Sequence, residues 1–259
     1  MRLKQYSSDI SASGWQAIEK ILPVQRSSKW HLQEIINAIF YITKNGCVWR
    51  DLPGEFPPWQ TVYWYFRKWV KDGSWENMSA CLTIDYREKK GKAAQPTIAI
   101  VDSQSCKNTS SCIAEVGVDG GKRIKGRKRF YIVDTLGCLL ESFVVAANWY
   151  DGVITAQRWQ EFGGSNLLLA NLQKLYADGT FGGSFTAQMQ REFNIEVVIP
   201  SVPIARKGKV DIHQGRWIVE RSIAWTNNNR RCAKDYERKT QTANAYLRIA
   251  NIRRIAKHI

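Results

Sequence analysis

The chain is poor in three things, and each shortage excludes a class of protein. It has no apolar run approaching the roughly 20 residues that cross a bilayer, so no membrane-spanning helix is expected. The opening "MRLKQYSSDI" has no apolar core of the kind that marks a secretory leader, and a soluble, cytoplasmic protein is the expectation. Histidine occurs only three times (His31, His213 and His258), and the six cysteines include no CxxC pair. A structural zinc site needs four close nitrogen or sulfur ligands, and nothing here is spaced to supply them. Cys106 and Cys112 are a weakly spaced pair, and reduced, mostly buried thiols are expected throughout.

Acid is also scarce relative to base. There are 23 Asp and Glu against 38 Lys and Arg, a formal net charge of +15. Charge of that size speaks of partners rather than fold, and a polyanion is the natural partner where the positive residues cluster. They do cluster. Six of the eight residues in "KRIKGRKR" are basic (Lys122, Arg123, Lys125, Arg127, Lys128, Arg129), and Arg230, Arg231, Lys234, Arg238 and Lys239 form a second group. A DNA backbone held across these groups would bind with strong salt dependence.

Tryptophan divides the chain. Seven of the eleven lie before residue 76, among stretches with helical apolar spacing. Helices are expected over 10–22, with Ser11 or Ser13 as cap, over 29–44 with Gly46 as its stop, and over 60–72 ahead of Gly73. Residues 1–78 thus read as a small all-helical domain with an aromatic core. Residues 79–96 read as a helix running into a linker, and 97–259 as a mixed α/β domain. In that last part, strands are expected at 97–102, 129–135, 138–148 and 194–200, the middle pair forming a hairpin around Leu136-Gly137. Helices are expected at 153–162 and 184–193 and in the terminal region from about 215.

Three carboxylates stand out. Asp102 ends the apolar run "IAIVD", Asp178 follows "KLYA" ahead of a glycine-rich turn, and Glu220 sits inside "GRWIVERSIAW" with Arg216 one helical turn before it. Two Asp from strands and a Glu from a helix are a suitable oxygen-ligand set for a pair of Mg²⁺ or Mn²⁺ ions about 3.5–4 Å apart, the arrangement of two-metal phosphoryl transfer. Asp119, ahead of Gly120-Gly121, reads as a turn residue, and Asp134 as the end of the hairpin strand beside the site.

At these residues the chain resembles the DDE transposases of bacterial insertion sequences, of the IS-four/IS-five type and its IS-five branch. "INAIFYITKNGCVWRDLP", "FPPWQTVYWYFRKW" and "DGSWE" are similar to that family's helical domain. "VDSQS", "KGRKRFYIVDTLG", "VERSIAW" and "RRCAKDYE" are similar to its catalytic domain. The resemblance implies an RNase H-like sheet with flanking helices and a metal-binding triad of Asp102, Asp178 and Glu220. Arg216 stands where the family places an Arg four residues before its Glu. The signature Tyr and Lys are replaced by His213 and Asn227. Double-stranded DNA is the implied partner, as terminal inverted repeats and target, with a homodimer joining two ends and a nucleoid-associated location. The helix over 60–71, carrying Tyr63, Arg67, Lys68 and Lys71, is the expected reader of the repeats. A catalytically degenerate DNA-binding protein and a stand-alone RNase H-like nuclease are the competing readings.

Overall fold

The computed structural model describes residues 5–22, 29–112, 114–200 and 216–259. Four helices come first: α1 (Ala12–Glu19), α2 (Leu32–Asn45), α3 (Trp59–Lys71) and α4 (Ser74–Lys89). Ser11 caps α1 by accepting the Gly14 N–H at 3.1 Å. Gly46, with φ of 73°, ends α2 in the left-handed conformation that favours glycine. The tryptophans do different work. Trp69 and Trp75 are fully buried and meet edge to face at 5.2 Å, whereas Trp64 on the same helix as Trp69 is 56% exposed.

The sheet follows. Its strands are β1 (Ile98–Lys107), β2 (Gly117–Asp119), β3 (Ile124–Asp134), β4 (Leu139–Ala146), β5 (Lys174–Tyr176) and β6 (Glu196–Val198). Helices α5 (Asp151–Phe162) and α6 (Ser184–Phe193) alternate with the later strands, and α7 (Arg216–Asn227) and α8 (Thr240–Ile255) end the chain. The order across the sheet is β4-β3-β1-β5-β6, with β2 alongside the start of β3. β1, β5 and β6 are parallel, and β3 runs antiparallel to both β1 and β4. This mixed sheet with helices on both faces is the RNase H-like architecture.

Each face has its own core, because neighbouring residues on a strand point opposite ways. Ala99, Val101, Phe130 and Ile132 pack with Ile154, Trp159, Phe185 and Met189 of α5 and α6. Ile100, Tyr131 and Val133 pack with Ile218 and Val219 of α7 and with Ala243 and Leu247 of α8. The rest of α8 enters the helical module: Tyr246, Ile249, Ile252 and Ile255 share a core with Trp69 and Trp75. One helix, buried nearly all round, therefore belongs to both cores. α4 also runs unbroken through residue 79, where a domain boundary was expected.

Two strand expectations change. β1 does not stop at Asp102. It continues to Lys107, because "SQSCK" pairs with Gly126–Phe130 of β3 and needs no apolar face there. Asp134 does not lie beside the acidic site. It pairs with Ala99, three residues before Asp102 and on the other face of the sheet, and is completely buried. There it forms an ion pair with Arg87 of α4. Its Oδ1 also accepts the Leu136 and Cys138 N–H groups at 3.0 and 2.7 Å, shaping the hairpin turn around Gly137 (φ 79°). Removing one member of a buried pair leaves the other charge uncompensated. Asp134→Ala should therefore lower stability by about 3–5 kcal/mol, read as a shift in urea midpoint. A change below about 0.5 kcal/mol would show that this pair does not hold the helical module to the sheet.

Candidate active site

The site begins with strand register. β5 pairs with β1 through Ile98↔Lys174, Ala99↔Leu175 and Ile100↔Tyr176. Two residues further along each chain come Asp102 and Asp178. Residues in parallel register share a face, so both carboxylates lie on the side of Ile100 and Tyr176, the side that α7 covers. Asp102 Oδ1 accepts its neighbour's backbone, Ser103 N–H, at 2.7 Å. Asp178 Oδ1 accepts the Thr180 N–H at 2.9 Å and its hydroxyl.

Electrostatics report the closeness of the two acids. Burial pushes the Asp102 carboxyl up from its ordinary 3.8 to about 6. The Ser103 N–H pulls it back down, the Asp178 charge pushes it up again, and Arg216 and Lys122 draw it down. The two cations that act on this carboxylate come from the start of α7 and from the β2–β3 turn. Glu220, one turn into α7, is exposed, with Oε1 3.8 Å from Arg216 Nη2. Among the described residues no three potential metal ligands are already gathered at one point. The structure brings Asp102 and Asp178 together and leaves Glu220 outside that pair, as repulsion among three uncompensated carboxylates would favour.

Behind the two acids lies a polar network that the sequence reading missed. Asp151, the first residue of α5, accepts the Ser103 hydroxyl at 2.7 Å through Oδ2, with the Thr180 hydroxyl 3.3 Å from the same oxygen. Its Oδ1 accepts from Lys128 Nζ at 2.7 Å. Lys128 also donates to the Trp149 carbonyl at 2.9 Å and lies 3.9 Å from Asp119. Asp151 therefore grips the residue after Asp102 and the residue two after Asp178, with Lys128 supplying the compensating charge. The available signal was β1 alternation: Ser103 and Ser105 must face the opposite side from Asp102. Asp119 is the last strand residue of β2 rather than the turn residue expected; it accepts the Lys122 N–H at 3.0 Å across the turn that follows, and it also takes the Ser105 hydroxyl.

The basic run divides in two. Lys122, Arg123 and Lys125 are exposed. Arg127, Lys128 and Arg129 are buried and cannot be part of an open basic surface. Arg127 donates to Asp235 and to the Glu237, Ala114 and Arg238 carbonyls, and Arg129 donates to the Cys232 and Lys234 carbonyls. These two arginines tie β3 to the segment before α8. The reason is position: all three lie within β3, which is covered along this length. In the second cluster Arg230 and Lys234 are exposed, while Arg231 is paired with Glu237 at 2.6 Å. On α3, Tyr63, Trp64, Arg67 and Lys71 share the exposed face, and Lys68 lies 5.5 Å from the Trp64 ring centre. His213 lies outside the described residues. All six cysteines are free.

The donor chemistry suits a divalent cation that prefers oxygen. Two carboxylates lie side by side, and Oδ2 of each has no protein donor among the described residues. The carboxyl of Asp102 is held up chiefly by burial and further by the Asp178 charge, a penalty that a cation would offset.

A mixed sheet of this order, with two acids where β1 loses its β5 neighbour, is an RNase H-like fold. The family comparison is specific. Residues 93–252 match the transposase DDE domain, and residues 10–79 match the domain described as a transposase of IS4/5 family (DUF4096). The chain belongs to the DDE transposases of the IS4/5 type. No curated protein matches it. Among the described residues no helix is long and apolar enough to cross a membrane.

A raised carboxyl has a stability consequence. The folded protein binds a proton at Asp102 between about pH 4 and pH 6 that the unfolded chain has released, so stability falls as pH rises through that window and stays lower above it. Asp102→Asn removes the penalty. In chelator-treated protein at pH 7.5 or so it should be more stable than wild type by about 1–3 kcal/mol, converging below about pH 4. Urea denaturation at both pH values checks this, and an equal difference at the two would contradict it.

Proposed function

We propose that this transposase binds the terminal inverted repeats of its insertion sequence, cleaves the DNA ends and joins them to target DNA at a site built from Asp102, Asp178 and Glu220. The observation that carries this reading is the pairing of Asp102 with Asp178 beneath the helix that bears Arg216 and Glu220. Asp102 and Asp178 would hold two Mg²⁺ or Mn²⁺ ions, with Glu220 as the third ligand. Bound there, the ions would supply Lewis acidity at the phosphodiester and lower the pKa of the attacking water.

The protein's own groups do the rest. Ser103, Thr180, Asp151 and Lys128 keep the two aspartates from separating. Arg216, paired with Glu220, opposes the upward push of burial on the Asp102 carboxyl. Lys122 and the exposed Arg123, Lys125, Arg230 and Lys234 would contact backbone phosphates, which position DNA without reading sequence. The Tyr63, Trp64, Arg67 and Lys71 face of α3 would lie against a groove and read the repeats, with Lys68 at its margin. After cleavage, the freed 3′-hydroxyl attacks the target phosphodiester at the same site, with no covalent protein intermediate. Joining two ends calls for a homodimer on DNA.

The test uses DNA carrying the element's own flanking ends with Mg²⁺ or Mn²⁺. Wild type should give end-specific cleavage and strand transfer. Asp178→Ala and Glu220→Gln should each lower cleavage by at least about a thousandfold, some 4 kcal/mol of barrier, with duplex binding retained. Cleavage at the wild-type rate in either variant would remove that residue from the site. Binding without products from wild type would point to a degenerate, DNA-binding copy.

A further inference from the structure

A second site lies away from the acidic one, where α2, the end of α7 and the end of α8 converge. It is a cavity of about 220 Å³ whose lining includes Lys44, Arg253, Arg254, Lys257 and His258. None of its lining residues is Asp or Glu. Arg253 is the unusual member. It is 7% exposed, its Nη1 donates to Asn229 Oδ1, and its Nε has no acceptor. Arginine is almost never buried unpaired. Here burial pushes the guanidinium down to about 10, opposed only by the Cys232 thiol and by no carboxylate. Lys257 is likewise drawn down by burial and by the charges of Arg253 and Lys44. The wall is rigid: Arg254 Nη2 is 3.3 Å from the Gly137 carbonyl and 3.2 Å from Asn251 Oδ1, and its guanidinium stacks 4.7 Å from the Trp225 ring centre.

Like charges brought together in a partly enclosed space are unfavourable until an anion enters. Guanidinium and ammonium groups converging without a competing carboxylate match a tetrahedral oxyanion, and a cavity of this size holds one with several waters. We propose that the cavity is a phosphate-binding site, and that the phosphate it takes is one of the bound DNA backbone. The source follows from α7, which runs from Arg216 at the acidic site to this cavity. Its length of twelve residues is about 18 Å, the axial span of about five base pairs. The assignment to DNA rests on the function proposed above, whereas the phosphate site itself does not.

The test compares the full-length wild type with the Lys44→Gln/Lys257→Gln double variant, which alters two partly exposed side chains and leaves the buried arginine in place. Thermal unfolding is followed in sodium phosphate against sodium chloride at matched ionic strength. Binding of an element-end duplex is then measured across salt concentrations. Phosphate near ten times its Kd should raise the wild-type Tm by about 2–5 °C over chloride, and the variant should lose most of that rise. The slope of log K against log salt should fall by about one to two in the variant. Equal phosphate responses in the two proteins, including none in either, would overturn the site. A phosphate response lost in the variant with an unchanged salt slope would keep the site and overturn DNA as its source. A phosphate response in a wild type that binds no DNA would keep the site and count against the proposed function.

Discussion

The register between β1 and β5 is the constraint on which the rest depends. Two parallel strands joined at Ile100↔Tyr176 leave Asp102 and Asp178 side by side, two residues beyond the last paired position. A slip of one residue in either strand would turn its acid to the opposite face, into the side occupied by α5 and α6. Leu175 and Ala99 on one face and Ile100 on the other fix that register by their burial. The apolar cores and the acidic pair are thus consequences of a single alignment. Asp151 then reinforces it from behind, bridging Ser103 of β1 and Thr180 of the turn after β5.

The chain's excess of positive charge has two distinct uses. Part of it is internal. Arg87, Arg127, Arg129 and Arg248 are buried and joined to acids or carbonyls, and they fasten the sheet to α4, to the 230–238 segment and to α8. The remainder, including Lys122, Arg123, Lys125, Arg230 and the α3 face, is open to solvent. This remainder can meet a polyanion along the open surface. Arg253 fits neither group, being buried without an acid, and this is why its cavity stands apart from the ordinary basic surface.

Much of this was legible in the sequence because strong local signals agreed with the tertiary fold. The period of Leu32, Ile35, Ile36, Ile39 and Phe40 gave α2, and Gly46 gave its end. The Leu136-Gly137 step gave the hairpin, and the apolar runs before Asp102 and Asp178 gave the two strands that carry them. What could not be read was long-range pairing. "SQSCK" is polar enough to suggest a loop, yet it is strand because β3 supplies its hydrogen bonds. "GRKR" suggests a solvated patch, yet three of its residues face carbonyls and acids that lie up to 111 positions away. Asp151 lies just ahead of the helix expected at 153–162, and nothing local reveals that Ser103 and Thr180 converge on it. The position of Asp134 failed for the same reason: only the antiparallel register shows that it pairs with Ala99, on the opposite face from Asp102.

The central claim is that Asp102 and Asp178 form one metal-binding unit. Anomalous diffraction from crystals of the protein soaked in Mn²⁺ tests it most directly. The account predicts a manganese peak in contact with a carboxylate oxygen of both residues, at about 2.0–2.2 Å from each. Manganese bound to one aspartate alone, or found only at sites elsewhere in the protein, would contradict it.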